Sequence, residues 1–185
     1  MQIYYPSLQA IDLQTRQLDH ELCRHCRCAH QLVSHGFVYK KSKGAEPQAV
    51  GKRVFCSNRG RFAGCGRTSQ LYLDAVIRKL RYTGEQLVAF MLALIQGVTV
   101  QRAYSGVTGT ADPRHAYRWL TRLYAQLSTY RSLAHQAPLP SGAVAPGTKP
   151  AARRDLLGST FRALSTDFGA SWHAHYQRKL QRPFV

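Results

Sequence analysis

The sequence predicts an α+β chain: a small cysteine-bearing β unit, then a helical unit, then a Pro/Gly linker with a short C-terminal helix. Three observations carry this. All five cysteines fall in the first third of the chain, among segments rich in strand formers. Between positions 84 and 133 the apolar residues recur at helical spacing. Four prolines and two glycines crowd into 137–150, a composition that forms no regular element.

Residues 1–20 form a lead-in segment in which Leu8, Ile11, Leu13 and Leu18 follow no clear period but can pack on what comes next. The β unit spans 21–73. Strands are expected at 31–39, 50–56 and 68–73, the first two separated by a loop containing Gly44 and Pro47. Cys23-x2-Cys26 places two thiolates on one tight turn that can offer both sulfurs to one ion. Cys56 ends the second strand, and Cys65 lies between Gly64 and Gly66, which let the backbone wrap a metal. Together Cys23, Cys26, Cys56 and Cys65 close a tetrahedral shell, the mark of one structural zinc ion, and the unit reads as a zinc ribbon. An odd cysteine count behind no recognisable secretion leader speaks against a disulfide framework. The gap Cys56-x8-Cys65 is wider than a second CxxC, so the basic stretch 57–63 is expected to loop out. Cys28, His25, His30 and His35 stay open as rival ligands.

The helical unit spans 74–135. Leu87, Val88, Phe90, Met91, Leu94 and Ile95 predict a helix over 84–96, capped by Thr83 and stopped by Gly97. A shorter helix follows at 100–105, and Gly106 and Gly109 open a turn. Asp112-Pro113 is a start signal for a long helix reaching about Leu133, with Ala116, Leu120, Leu123 and Leu127 as its apolar stripe. Helix, break, short helix, turn and longer helix is the layout of a helix-turn-helix. The last helix carries Arg114, Arg118 and Arg122 four residues apart, a ridge about 12 Å long. His115 joins them as a contact candidate, and Thr108 and Thr110 could bond phosphate from the turn. A linker is drawn over 136–155 and a basic, aromatic tail over 156–185, in which Leu157, Phe161 and Leu164 share a helical face suited to docking a partner.

Charge points to the partner. There are 26 Lys and Arg against 9 Asp and Glu, a net charge of +17, and such a field draws polyanions. The expected DNA contacts are Arg114, His115, Arg118 and Arg122 on the last helix, with Lys52, Arg53, Arg59, Arg61 and Arg67 on the β unit. Phe37, Tyr39 and Phe55 alternate and could stack single-stranded bases, although core packing is their expected use. The longest apolar run, near 87–95, is far short of the roughly 20 residues of a membrane span, so no membrane role is expected. The opening Met1-Gln2-Ile3-Tyr4-Tyr5-Pro6 has neither a basic nor an apolar leader region, which predicts a cytoplasmic, nucleoid-associated protein.

The run Cys23-x2-Cys26, Leu32-Val33-Ser34-His35-Gly36-Phe37, Gly51-Lys52-Arg53-Val54-Phe55-Cys56 and Gly64-Cys65-Gly66-Arg67-Thr68 resembles the zinc ribbon of bacterial insertion-sequence transposases and their small accessory proteins. With the helices behind it, the resemblance covers about 21–133. It implies a helix-turn-helix that binds the terminal inverted repeats of a mobile element. Full transposases of that kind also carry a later catalytic domain with three carboxylates, whereas only Asp155 and Asp167 follow the helical unit here. The expectation is therefore no enzyme but a sequence-specific double-stranded DNA-binding protein, a transposition accessory factor or repressor. A transposase or other protein on the tail, and a second copy of the chain, are the further partners. A general transcription regulator, an RNA-binding protein and a metal-dependent nuclease, for which His173-x-His175 offers only weak support, are the alternatives.

Overall fold

The structure is a computed structural model that describes residues 2–41, 46–78, 80, 82–139 and 149–185. It is mixed α+β and divides into two compact units, Met1–Val76 with Gln177–Pro183, and Ile77–Tyr176 with Phe184–Val185.

The first unit is built on a four-stranded sheet of β1 (Gln2–Tyr5), β2 (Leu32–Lys40), β3 (Gln48–Cys56) and β4 (Thr68–Leu73), in the order β1-β4-β3-β2. The three strands expected from their strand-forming residues are present. β2 and β4 run antiparallel to β3, while β1 pairs in parallel with β4. The lead-in is thus an edge strand followed by α1 (Leu8–Arg16), whose N-terminus is capped by the Ser7 hydroxyl accepting from the Ala10 N–H at 3.1 Å. Ile11 and Leu18 pack with Val54 and Leu71 on one face, and Tyr4, Val38, Val50 and Tyr72 form the other cluster. Val50 and Val54 have the same parity yet serve different clusters. The register passes from Val38↔Gly51 to Tyr39↔Ala49, so Val50 is an extra residue in a bulge that turns its side chain over. The chain's late residues complete this unit. Gln177 Nε2 donates to the Asp74 and Val76 carbonyls, and Gln181 holds Tyr4 by both backbone groups, its Oε1 accepting from the N–H at 2.8 Å and its Nε2 donating to the carbonyl at 3.2 Å.

The second unit is helical: α2 (Gly84–Ile95), α3 (Val100–Thr108), α4 (Arg114–Ala125), α5 (Leu127–Leu133), α6 (Pro150–Phe168) and the first residues of α7 (Trp172–Leu180). Thr83 and Gln86 close a capping box at the start of α2. α3 runs through Gly106 and ends at Gly109, whose φ of 63° is the left-handed terminator, so the turn begins three residues later than expected. Pro113 lies just outside α4, and the Asp112 carboxylate accepts the Arg114 N–H at 3.0 Å. The single long helix expected up to Leu133 is instead two, divided at Gln126, where φ is −104° and ψ is 4°.

The region beyond Leu133 differs most from the expectation. The expected linker over 136–155 ends early, because α6 starts at Pro150, a residue well suited to a first helical position. Residues 140–148 lie outside the described residues. The 156–185 region is not a loose tail: Leu157, Phe161 and Leu164 are 2% exposed or less, within the unit's own core. The face read as a partner-docking stripe is therefore already covered. Two aromatic groups fill the unit. Tyr82, Phe90 and Tyr104 meet Trp119 edge-on, with the Tyr104 and Trp119 centroids 5.3 Å apart. Phe161 stacks on Trp172 at 4.9 Å and Tyr130 on Phe184 at 4.6 Å. Among the described residues no helix is long and apolar enough to cross a membrane.

Candidate metal centre and nucleic-acid interface

Cys23, Cys26, Cys56 and Cys65 converge, with their four Sγ atoms all within 4.8 Å of one another. Cys23 and Cys65 are 3.8 Å apart and Cys26 and Cys56 are 3.7 Å apart, far beyond a disulfide bond. A tetrahedral ion with ion–sulfur bonds of about 2.3 Å requires sulfur–sulfur edges of about 3.8 Å. The four cysteines can therefore hold a metal ion in a closed shell.

Two turns of matching form place them. In the first, the Arg27 N–H donates to the Cys23 carbonyl at 2.7 Å, the Cys23 N–H donates to the Cys28 carbonyl at 2.9 Å, and Arg27 takes φ 64°. In the second, the Gly66 N–H donates to the Cys56 carbonyl at 2.9 Å, the Cys56 N–H donates to the Arg67 carbonyl at 2.9 Å, and Gly66 takes φ 71°. The second turn is thus the first with a six-residue excursion, 58–63, inserted between its two middle residues. Ser57 and Gly64 are those residues, and the Gly64 N–H closes the neck on the Ser57 carbonyl at 2.7 Å. A Cβ on Gly64 would run into that carbonyl and into Cys56 Sγ. Gly64→Ala is expected to weaken metal retention by about 10- to 100-fold, the usual cost of disturbing the groups that position ligands. Competition with a chromogenic chelator measures this, and unchanged retention would show that the neck does not position Cys65.

Sulfur charge is met by backbone donors: the His25 N–H lies 3.4 Å from Cys23 Sγ and the Cys65 N–H 3.3 Å from Cys56 Sγ. The Cys28 backbone N–H pulls the Cys26 thiol down to about 6, whereas burial pushes Cys56 up to about 12. A central cation is what allows all four to ionise together.

The rival ligands are not among these four clustered atoms. Cys28 is exposed, with its thiol against the Cys26 carbonyl at 3.7 Å. His30 faces Asp19 at 3.6 Å, and the His35 ring packs on Phe55 at 5.7 Å. His25 contributes its backbone N–H, and its ring is not among the clustered atoms.

The basic residues divide between the two units. On α4, Ala116, Trp119 and Leu123 are buried, while Arg114, His115, Arg118 and Arg122 are exposed. Arg114 is held by Asp112, with Nη2 and Nε both 2.7 Å from Oδ2. Thr108 is not available to phosphate: it is buried, and its hydroxyl donates to the Tyr104 carbonyl at 2.7 Å.

On the β unit, Lys52 and Arg53 cannot serve one surface, because neighbouring strand residues point to opposite faces. Lys52 is spent internally, 2.6 Å from the Asp12 carboxylate and over the Phe37 ring, while Arg53 is exposed. Arg59 lies over Phe55 and Arg61 over Phe62, so the excursion carries two exposed guanidinium groups seated on aromatic rings. Arg67 is exposed just beyond the second turn. The expectation that Phe37 and Tyr39 pack in the core fails: they are 46% and 62% exposed on β2, their centroids 6.2 Å apart. The bulge between Ser34 and Phe37 shifts the register there, which strict alternation does not reveal. His173 is buried rather than at a surface site, and a Cβ on Gly84 would collide with its ring.

Comparison with protein-family models, with curated proteins and with solved structures finds no match to the chain.

Proposed function

We propose that the protein binds double-stranded DNA sequence-specifically through a helix-turn-helix made of α3, the turn after it and α4, with a zinc ribbon as its β unit. The observation that carries this reading is the surface of α4. Three arginines one helical turn apart line an exposed face, a separate buried face is anchored by Trp119, and the chain has a net charge of +17. A closed shell of four sulfurs suits zinc in a structural role, and elemental analysis should return one zinc per chain. A place in transposition, as accessory factor or repressor, rests on the resemblance of 21–133.

The test is to sequence the genomic fragments that the zinc-loaded protein retains at about 0.15 M salt, where non-specific phosphate attraction is partly screened. Enrichment at the ends of a mobile element supports the transposition role, and enrichment at promoters supports a regulator. No enrichment over bulk DNA overturns sequence-specific binding. Arg118 has the freer guanidinium, since Arg114 is tied to Asp112. Arg118→Ala is expected to cost about 1–3 kcal/mol on the preferred site and to relax sequence preference there. An equal loss on every sequence would make Arg118 a phosphate contact.

The exposed Phe37 and Tyr39 favour a second reading, in which the β unit stacks single-stranded bases. Tighter retention of single-stranded than of duplex oligonucleotides, lost in Tyr39→Ala, would establish it.

A further inference from the structure

α4 has three faces. Ala116, Trp119 and Leu123 fill the core and the arginines face outward. Tyr117, Leu120 and Tyr124, at i, i+3 and i+7, form a third stripe, which borders a cavity of about 200 Å³. α6 adds Arg153, Arg154 and Leu157 to its lining, and α2 adds Ile95.

The chemistry of the lining is one-sided. Its surface is apolar and aromatic except for the two guanidinium groups, and no carboxylate is among the lining residues. Burial pushes the Tyr124 hydroxyl up, and the charges of Arg153 and Arg154 pull it partly back, so both cations reach this wall. Two positive charges beside an apolar hollow complement a ligand with one anionic end and one apolar end. The volume lies below the roughly 300–1,000 Å³ of sites for drug-sized ligands, which sets the scale at a small acid.

We propose that this cavity is a binding site for a small apolar carboxylic acid, its carboxylate held by Arg153 and Arg154 and its ring or acyl body lodged against Tyr117, Leu120 and Leu157. The site does not depend on the DNA reading, because it is tested on the free protein. Tyr117 stands between the cavity and the arginine face, so an occupant would press on the helix proposed to read DNA.

The probe is 2-naphthoate, added to the full chain while isoleucine methyl signals are followed by NMR. A net charge of +17 attracts anions everywhere, so the readout must be local. The Ile95 methyl signals, assigned by their loss in Ile95→Val, are expected to shift saturably, while those of Ile3 and Ile11 in the first unit stay still. The neutral 2-naphthamide should bind about tenfold more weakly or worse, and Arg153→Gln with Arg154→Gln should weaken naphthoate by a similar factor. Naphthoate binding without a saturable Ile95 shift, or equal binding of acid and amide, would overturn the site. Both comparisons use the unaltered chain, so they decide the matter even if the double variant does not fold.

Discussion

Cys56→Ser is expected to strip the metal ion from the β unit and abolish its cooperative melting. Cys56 is 1% exposed at the end of β3, joins the two turns through its 3.7 Å approach to Cys26, and receives the Cys65 N–H. A serine hydroxyl is a poor ligand at neutral pH and leaves three thiolates around the cation. The apolar clusters on the two sheet faces are small, and a bound ion would supply much of the stability of a unit of this kind. Structural zinc contributes about 10–16 kcal/mol of apparent binding free energy in small zinc-dependent folds. Elemental analysis paired with a thermal melt followed by near-ultraviolet circular dichroism measures both effects. Cys28→Ser is the control and should change neither, because that thiol stands outside the shell. Full metal content and an unchanged melt in Cys56→Ser would remove the four-cysteine centre.

The second large effect is expected at Phe161. Its ring is 1% exposed, stacks on Trp172 at 4.9 Å, and lies 5.7 Å from Tyr130 and 6.4 Å from Phe184. Phe161→Ala removes the ring shared by all three, in a place where α5, α6 and α7 cannot all close in to fill the space. The expected loss is about 3–5 kcal/mol in denaturant unfolding of the second unit. A loss under about 1 kcal/mol would mean that α6 adds little to the core and that 156–185 is a tail after all.

The tail expected over 156–185 is part of the folded unit instead, and the physical reason lies in what spacing can report. The prolines and glycines of 137–150 correctly mark an interruption, but an interruption in secondary structure is not the edge of a folded unit. Leu157, Phe161 and Leu164 do show a helical stripe, yet spacing alone cannot say whether the stripe meets another protein or the chain's own Tyr130 and Trp172. The strands β2, β3 and β4 were legible because β-branched and aromatic residues lie between turn-forming ones, and α2 because its cap, stripe and stop agree. β1 was not. Four residues ahead of Pro6 give no periodicity, and their partner β4 is remote in sequence and parallel. The division between α4 and α5 also has no local signature, since neither glycine nor proline stands at Gln126. The four cysteines were legible as a set from spacing. That the wide gap hides an ordinary tight turn was not, because it depends on a hydrogen bond between Ser57 and Gly64.

The hold of Gln181 on Tyr4 bears on how the protein is made. The two residues are 177 positions apart, and β1 is the edge of its sheet. At about 5–20 residues per second, roughly nine to thirty-five seconds of synthesis separate them. Through that interval the outer N–H and carbonyl of Tyr4 are open to pairing with a strand from a neighbouring nascent chain. The side-chain amide that later arrives satisfies both groups without adding another strand, so the sheet ends there. A chain cut short before Gln177 would keep every cysteine and all four described strands yet lack this stopper, and it should precipitate where the 185-residue chain does not.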